Sequence, residues 1–206
     1  MENIFLCSYF AEVASKINEL VKFSGKKVAF IDTAAKFEEV NFYVDEAVEI
    51  LEKFGAKLTR IDISCVKNMV AQVSECDDFC ALDDKILATI NECDIIYISG
   101  GNTFYLLSEL RKSRAAQTIK DAVHAGKIYI GESAGAIVAA PDTRYATPMD
   151  ENSVNVSDFT GLNLVDFFIV PHFGCEPFVE AARETMKKFG NSCDLRPINN
   201  AEFIAL

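Results

Sequence analysis

A serine in a sharp turn between a strand and a helix is the strongest candidate nucleophile in this chain. The apolar run at residues 127–130 leads into Gly131-Glu132-Ser133-Ala134-Gly135-Ala136, and an apolar stretch follows at residues 137–140. This is the G-x-S-x-G pattern in the context it requires, with a strand before it and a helix after it. Small flanking residues relieve the crowding of a strained turn, and free N–H groups at the helix start favour an anionic intermediate. The pattern predicts that Ser133 is a nucleophile, and a turn that serves only tight packing is the alternative.

A serine nucleophile needs a base, and the chain has only two histidines. His124 falls in the last turn of a predicted helix, where a histidine interacts favourably with the helix C-terminus and needs no other explanation. His172 follows a buried strand predicted at residues 166–170, so it should face the same edge of the sheet as Ser133. His172 is therefore the predicted base, with a buried structural histidine as the alternative.

The group that orients the histidine is open to more than one assignment. Asn199 and Asn200 follow a short strand predicted at residues 195–198, which should neighbour the strand of the histidine. Asp150 and Glu151 lie in the loop between the serine and the histidine. Topology favours the asparagines and acidity favours Asp150, because an asparagine can orient an imidazole but cannot offset its charge. We predict Asn200 as the third member, with Asp150, Glu151 and Asn199 as alternatives.

Backbone N–H groups must stabilise the oxyanion that forms when a serine attacks a carbonyl. One of them should belong to Ala134, the residue after the nucleophile. A second should come from Gly100-Gly101-Asn102, which follows a buried strand at residues 94–99, because glycine lets the backbone approach a ligand closely. Asn102 is a candidate for substrate binding, and the alternative is an ordinary turn in which it is the N-cap of the next helix.

Strands and helices alternate along the chain, and this alternation predicts the framework that positions those residues. Strands are predicted at residues 3–10, 27–33, 57–63, 94–99, 127–130, 166–170, 195–198 and 202–206. Helices are predicted at residues 11–23, 40–54, 83–93, 103–112, 115–125 and 177–189, and the polar residues 142–161 are predicted to form a loop. The pattern indicates one α/β domain over residues 1–206, with a mostly parallel sheet and helices on both faces. In such sheets the functional groups gather at the carboxyl ends of the strands.

Composition and charge exclude several classes of function. The 206 residues carry a formal net charge of −11, so nucleic acid and anionic membrane surfaces are poor partners. No apolar run is long enough to span a bilayer, and the first residues lack the basic region of a secretory signal. The seven cysteines are odd in number and irregularly spaced, which indicates reduced thiols in a cytoplasmic protein. Cys76 and Cys80 are too far from other soft ligands to suggest a zinc site.

Three motifs occur together in a characteristic order and spacing. They are Ser99-Gly100-Gly101-Asn102-Thr103-Phe104, Gly131-Glu132-Ser133-Ala134-Gly135-Ala136 and Pro171-His172-Phe173. In this combination the chain resembles, over nearly its whole length, peptidase family S51, which comprises the aspartyl dipeptidases called peptidase E and the cyanophycinases. The resemblance implies a flavodoxin-like α/β fold related to class I glutamine amidotransferases. It implies Ser133 as nucleophile, His172 as base, and Gly101 with Ala134 as oxyanion donors, in an intracellular enzyme that is often a homodimer and needs no metal or other cofactor.

The resemblance also implies a reaction. We expect a serine peptidase that hydrolyses short peptides, dipeptides with N-terminal aspartate in the first place, through an acyl-enzyme on Ser133. Members specific for aspartate need a cation for the substrate's side chain, and Arg144 is the nearest candidate for that contact, with an ordinary surface arginine as the alternative. Asn200 departs from family members whose third residue is acidic. The alternatives are a cyanophycinase-like enzyme, an esterase, or a catalytically silent module that binds a small ligand on the same fold.

Overall fold

The strands of the protein form one large sheet and one small one. The computed structural model describes residues 3–64 and 77–206, with side chains described from residue 84 onward in the second range. The strands are β1 (Ile4–Cys7), β2 (Lys27–Ile31), β3 (Lys57–Ile61), β4 (Ile95–Ile98), β5 (Ile128–Glu132), β6 (Phe168–Val170), β7 (Leu195–Pro197) and β8 (Phe203–Ala205). Six of them lie in the order β3-β2-β4-β5-β1-β8, while β6 pairs with β7.

The large sheet is parallel except at one edge. β5 lies between β4 and β1, and all three run in the same direction. β2 and β3 continue the parallel arrangement, and β8 is antiparallel to β1 at the opposite edge. Every residue of β1 and β4 is buried, as expected of apolar strands that are covered on both faces. The predicted mostly parallel sheet is confirmed.

Helices cover both faces of this sheet. They are α1 (Phe10–Val21), α2 (Phe42–Lys53), α3 (Asp77–Glu92), α4 (Thr103–Lys112), α5 (Ala115–His124), α6 (Ala134–Ile137) and α7 (Val179–Phe189). α1 and α2 pack on one face around Phe30 and Tyr97, whereas α3, α4 and α5 pack on the other around Ile96 and Ile98. No helix in the described residues is long and apolar enough to cross a bilayer.

The strand before His172 does not join the large sheet, so the expectation that it shares a sheet edge with Ser133 is wrong. β6 and β7 form a parallel pair of their own, with Val170 opposite Pro197. The physical reason is that β8 already pairs with β1 at the edge of the large sheet. β6 instead packs with α6 and α7 in a third apolar cluster, where the Tyr145 hydroxyl donates to the Ile169 carbonyl at 2.8 Å.

Several predicted boundaries also shift. The first strand ends at Cys7 rather than at Phe10, because the Phe10 N–H turns to the Glu132 side chain at 2.8 Å and begins α1. α3 begins at Asp77, six residues before its predicted start. Pro177 lies outside α7, whose N-cap is Phe178. The predicted loop at residues 142–161 contains a short 3-10 turn at Arg144–Ala146.

The helix α6 lies so close to the sheet that only glycine fits at two positions. A Cβ on Gly135 would lie 2.2 Å from the Ile98 carbonyl oxygen, and a Cβ on Gly131 would lie 2.5 Å from the Gly135 carbonyl oxygen. Both contacts involve backbone atoms, which cannot swing aside as a flexible side chain can. Gly135 therefore sets the distance between α6 and β4, and Gly131 sets the distance between α6 and the end of its own strand, β5.

We expect Gly135→Ala to destabilise the protein by about 3 kcal/mol, because the added methyl group must displace the end of β4. The matched control is Gly25→Ala. Gly25 has φ +78°, yet a Cβ there meets no atom within 4 Å. This control should cost only the backbone strain of about 1 kcal/mol. Urea unfolding of the two variants measures both values, and equal destabilisation would contradict the packing argument.

Candidate active site

Ser133 occupies a strained turn at the carboxyl end of β5. Its backbone has φ 48° and ψ −106°, a conformation that residues with a side chain rarely adopt. The Ser133 N–H donates to the Cys7 carbonyl at 2.9 Å, so the pairing of β1 with β5 extends to the serine itself. The strain is held in place by this bond and by the tight packing of α6, as expected of a nucleophile elbow.

The structure brings His172 to this serine. Its Nε2 lies 3.0 Å from Ser133 Oγ, within hydrogen-bond distance. His172 and Ser133 are both partly buried. The pair has the distance that proton transfer between a nucleophile and a base requires.

Asn200 contacts the other ring nitrogen of the imidazole. Its Oδ1 lies 2.7 Å from His172 Nδ1. When Nδ1 carries the proton and donates it to this oxygen, the Nε2 lone pair is free to accept from the serine hydroxyl. The two residues meet because β6 and β7 are parallel neighbours, so the segments that follow them lie side by side.

Two further contacts hold His172 in position, and a third bond fixes the hydroxyl that accepts from its backbone. Its backbone has φ 58°, and its N–H donates to Ser8 Oγ at 3.0 Å. The Ser8 hydroxyl donates in turn to the Ile198 carbonyl at 3.1 Å. The Phe178 ring stacks on the imidazole with centroids 4.7 Å apart. Ser8 thus ties the end of β1 in the large sheet to the small sheet that carries the histidine.

Burial lowers the pKa of His172 below its ordinary value, and the hydrogen bond to Asn200 raises it only in part. Desolvation acts in this direction because it disfavours the charged imidazolium. The neutral form, which can accept a proton from a serine, therefore prevails at neutral pH.

The segment after β4 is packed against its neighbours on two sides, since a Cβ on Gly100 would lie 3.3 Å from Ser133 Cβ in the elbow. Gly101 has φ 129°, and a Cβ there would lie 2.2 Å from the Ala34 carbonyl carbon. Among the described residues, no group accepts a hydrogen bond from the Gly101 N–H. Ala134 is the first residue of α6, so its N–H has no partner within the helix. Both N–H groups predicted as oxyanion donors are thus available to a ligand.

The alternative orienting residues have other partners. The Asp150 carboxylate accepts from the Thr103 N–H at 2.9 Å, at the start of α4. Burial raises the pKa of Asp150 to about 6. Glu151 is exposed, and its carbonyl accepts from the Asn102 side chain at 3.0 Å. The Asn199 side chain accepts from the Ala201 N–H at 2.9 Å. None of these side chains has a described contact with the histidine.

Two residues considered for substrate binding lie outside the cavity lining. Asn102 is the N-cap of α4, where its Oδ1 accepts from the N–H groups of Phe104 and Tyr105. The Arg144 side chain is 62% exposed, pairs with Asp142 at 3.7 Å and lies over the Phe159 ring. The structure therefore gives Asn102 the capping role that was its alternative.

A cavity of about 350 Å³ opens in front of the serine. Ser133, His172, Asn200 and Gly101 all contribute to its lining. Apolar walls come from Val40, Phe42, Tyr43, Ile137, Met149 and Phe178, and carboxyl groups come from Glu38, Glu132, Asp150 and Glu176. No Lys or Arg is among the described residues that line it. The volume is in the range of pockets that hold a small ligand.

Sequence reasoning did not assign roles to Ser8, Phe178 or Glu132. Ser8 directly follows a strand of the parallel sheet, so the rule that functional groups gather at carboxyl ends could have found it. Glu132 is a charged residue inside an apolar turn, which is itself a signal, because a buried charge needs partners. Nothing in the sequence around Phe178 marks it as the residue that stacks on the histidine.

None of the described residues that line the cavity is a cysteine. Cys7, Cys93, Cys175 and Cys193 are free thiols. Cys65, Cys76 and the side chain of Cys80 lie outside the described residues. The prediction that Cys76 and Cys80 form no zinc site therefore concerns residues outside that description. Across residues 3–64 and 84–206, no group of three His, Cys, Asp or Glu side chains is arranged to hold a metal ion.

Comparison with known proteins agrees with this geometry. The sequence profile of Peptidase family S51 matches residues 6–206. An uncharacterized peptidase of Pasteurella multocida (strain Pm70) is 40% identical over 207 residues, covering 99% of this chain and 93% of the relative. Peptidase E of Salmonella typhimurium (strain LT2) is 33% identical over 148 residues, covering 72% of this chain and 56% of that protein.

A solved structure shows the same fold. It is that of a candidate peptidase E from Listeria monocytogenes EGD-e, which is 36% identical, with a TM-score of 0.86 over 100% of this chain and 94% of that chain. The flavodoxin-like fold of the class I glutamine amidotransferase type is thereby confirmed. A profile match over nearly the whole length and 40% identity to a peptidase across 99% of the chain establish that this protein is a peptidase of family S51.

Proposed function

We propose that this peptidase is a serine enzyme that hydrolyses short peptides through an acyl-enzyme on Ser133. The observation that carries the proposal is the chain of two hydrogen bonds from Ser133 Oγ through the His172 ring to Asn200, at 3.0 and 2.7 Å. A hydroxyl, an imidazole and an orienting oxygen in this order form the arrangement that makes a serine nucleophilic.

The reaction follows from this geometry. His172 Nε2 takes the hydroxyl proton as Ser133 Oγ bonds to the scissile carbonyl carbon, and the N–H groups of Gly101 and Ala134 stabilise the oxyanion. The imidazolium then gives its proton to the leaving amine as the C–N bond breaks. Water attacks the resulting ester, with His172 taking the water's proton and returning it to Ser133 Oγ. Asn200 keeps the imidazole in the correct tautomer throughout.

The cavity wall bears on the choice of substrate. Four acidic residues are part of its lining, and none of the described lining residues is a Lys or Arg that could form an ion pair with a substrate carboxylate. A free amino terminus is complementary to such a wall, whereas an aspartate side chain is repelled by it. We therefore propose short peptides with a free amino terminus and a neutral or basic first residue, in preference to the N-terminal aspartate that the family resemblance implies. A cytoplasmic location and a homodimer remain expectations of that resemblance.

Replacing the nucleophile should abolish activity. We expect Ser133→Ala to lower kcat by about 10⁴-fold or more, because the variant cannot form the acyl-enzyme. Labelling by a fluorophosphonate should disappear with it, while Ser192→Ala, at an exposed position after α7, should leave hydrolysis and labelling unchanged. If Ser133→Ala hydrolysed a dipeptide substrate as fast as the wild-type enzyme, that result would contradict the proposed mechanism.

Replacing the orienting amide with a carboxylate should strengthen the base. Asn200→Asp places a negative charge beside the imidazole, which favours the imidazolium, so the pKa of His172 should rise. We expect kcat at alkaline pH to increase by about tenfold, because the carboxylate also stabilises the charge that develops on the histidine. NMR titration measures the pKa directly, and His124 provides the only other imidazole signal. Asn199→Asp is the matched control, and an equal rise in both variants would contradict the contact.

A panel of dipeptides tests the substrate. Lys-Ala, Met-Ala and Asp-Ala have first side chains that are basic, neutral and acidic. We expect kcat/KM for Lys-Ala and Met-Ala to exceed that for Asp-Ala by about tenfold or more, because the acidic wall repels a second carboxylate. The fastest turnover with Asp-Ala would show that the wall does not set the specificity.

A further inference from the structure

Glu132 is a buried carboxyl group directly before the proposed nucleophile, and the reaction steps give it no task. Its side chain is 2% exposed, although it forms part of the lining of the active-site cavity. Burying an ionised carboxylate is costly unless donors surround it. A simple packing role would be filled better by an apolar side chain.

Two hydrogen-bond donors from different parts of the fold converge on this carboxyl, and a third N–H lies near it. The Phe10 N–H at the start of α1 donates to Oε1 at 2.8 Å, and the Tyr97 hydroxyl on β4 donates to Oε2 at 2.9 Å. The Gly100 N–H, just after β4, also interacts with it and favours its ionised form. A carboxylate only accepts hydrogen bonds, so this set of donors is matched to the ionised state.

Through Gly100, the carboxyl reaches the segment that supplies the oxyanion donor. The Asn102 N–H on the far side of Gly101 donates to the Ala34 carbonyl at 3.2 Å. Gly101 therefore lies between the Gly100 N–H, which interacts with the Glu132 carboxyl, and the Asn102 N–H, which is bonded to the Ala34 carbonyl. Such anchoring keeps the Gly101 N–H in one direction before the substrate arrives, which is the condition for effective oxyanion stabilisation.

The ionisation of Glu132 falls near neutral pH. Burial raises its pKa to about 7, although the hydrogen bonds from Phe10, Tyr97 and Gly100 oppose this shift. The charge of Glu46 on α2 raises the pKa further.

The other titratable groups that face Glu132 stay neutral in this range. They are Cys7 on β1, Tyr9 beside α1, Tyr43 on α2 and Tyr97 on β4. Burial first, and nearby carboxylates second, raise the pKa of each of them. Near neutral pH, the charge beneath the elbow therefore depends on whether Glu132 is ionised, and Glu46 is its charged neighbour.

We propose that Glu132 is a positioning residue whose carboxylate holds the Gly100–Gly101 segment so that the Gly101 N–H meets the oxyanion. This proposal rests on the proposed serine mechanism. Protonation places a hydrogen on an oxygen at which a donor already points, so one of the donors around it loses its acceptor. Full activity then requires an ionised Glu132 as well as a neutral His172.

The first test is Glu132→Gln, which keeps the size of the side chain but replaces one acceptor with a donor. We expect kcat to fall by about 10²–10³-fold with little change in KM, as for the loss of an oxyanion donor. In the wild-type enzyme, protonation of Glu132 should make kcat/KM fall as the pH drops through about 7, which forms the acid limb of the profile. This limb should disappear in Glu132→Gln, so that the residual activity follows the lower pKa of His172.

Two variants that leave Glu132 in place separate positioning from structure. Tyr97→Phe removes a donor that favours the carboxylate, so the acid limb should move to higher pH. Glu46→Gln removes a like charge, so the acid limb should move to lower pH. Opposite shifts are not expected if Glu132 serves only packing, and both variants remain informative if Glu132→Gln does not fold.

The outcomes are distinct. A wild-type enzyme that hydrolyses none of the dipeptides and is not labelled at Ser133 would overturn the serine mechanism itself. An active wild-type enzyme whose acid limb stays fixed in both Tyr97→Phe and Glu46→Gln, or a Glu132→Gln variant with wild-type kcat at pH 8, would overturn the role of Glu132 alone.

Discussion

The contact between Gly135 and the Ile98 carbonyl is the constraint on which the site depends. It lets the turn after β5 fold back over the end of β4 at a distance that no side chain would allow. Closure at this distance holds Ser133 in its strained backbone conformation and brings Gly100 to its side, where an added Cβ would lie 3.3 Å from Ser133 Cβ. Nucleophile and oxyanion segment are thus placed by backbone packing between two parallel strands.

The histidine follows a strand of the small sheet, whereas the serine follows a strand of the large sheet. A triad split between two sheets needs a rigid joint, because general base catalysis requires hydrogen-bond distance to the serine. Ser8 supplies that joint, since its hydroxyl accepts from the His172 N–H and donates to the Ile198 carbonyl. One small side chain at the end of β1 therefore ties both sheets to the residue that must move the proton.

Charge is distributed around the site in an unusual way for an enzyme related to aspartyl dipeptidases. The histidine is oriented by a neutral amide, while carboxyl groups line the cavity and lie beneath the elbow. Burial keeps the pKa of two of these, Glu132 and Asp150, near 7 and 6. The turn and the histidine match the roles that the family resemblance implies, whereas the acidic lining of the cavity was not part of that expectation. Under the proposed function, these acidic residues decide specificity and pH response.

The sequence by itself determined the parallel sheet and the elbow, and it identified Ser133 and His172 as the candidate nucleophile and base. These features follow from local signals. Apolar runs mark buried strands, and a small-residue turn between strand and helix marks the elbow. It left Asn200 as one of four candidates for the third position, since only the pairing of β6 with β7 decides which side chain reaches the imidazole. The separate small sheet, the joint at Ser8 and the donors around Glu132 were decided by the tertiary structure alone. Two of these contacts, Phe10 with Glu132 and Ser8 with His172, join residues more than a hundred positions apart, and no local pattern records which distant groups will meet.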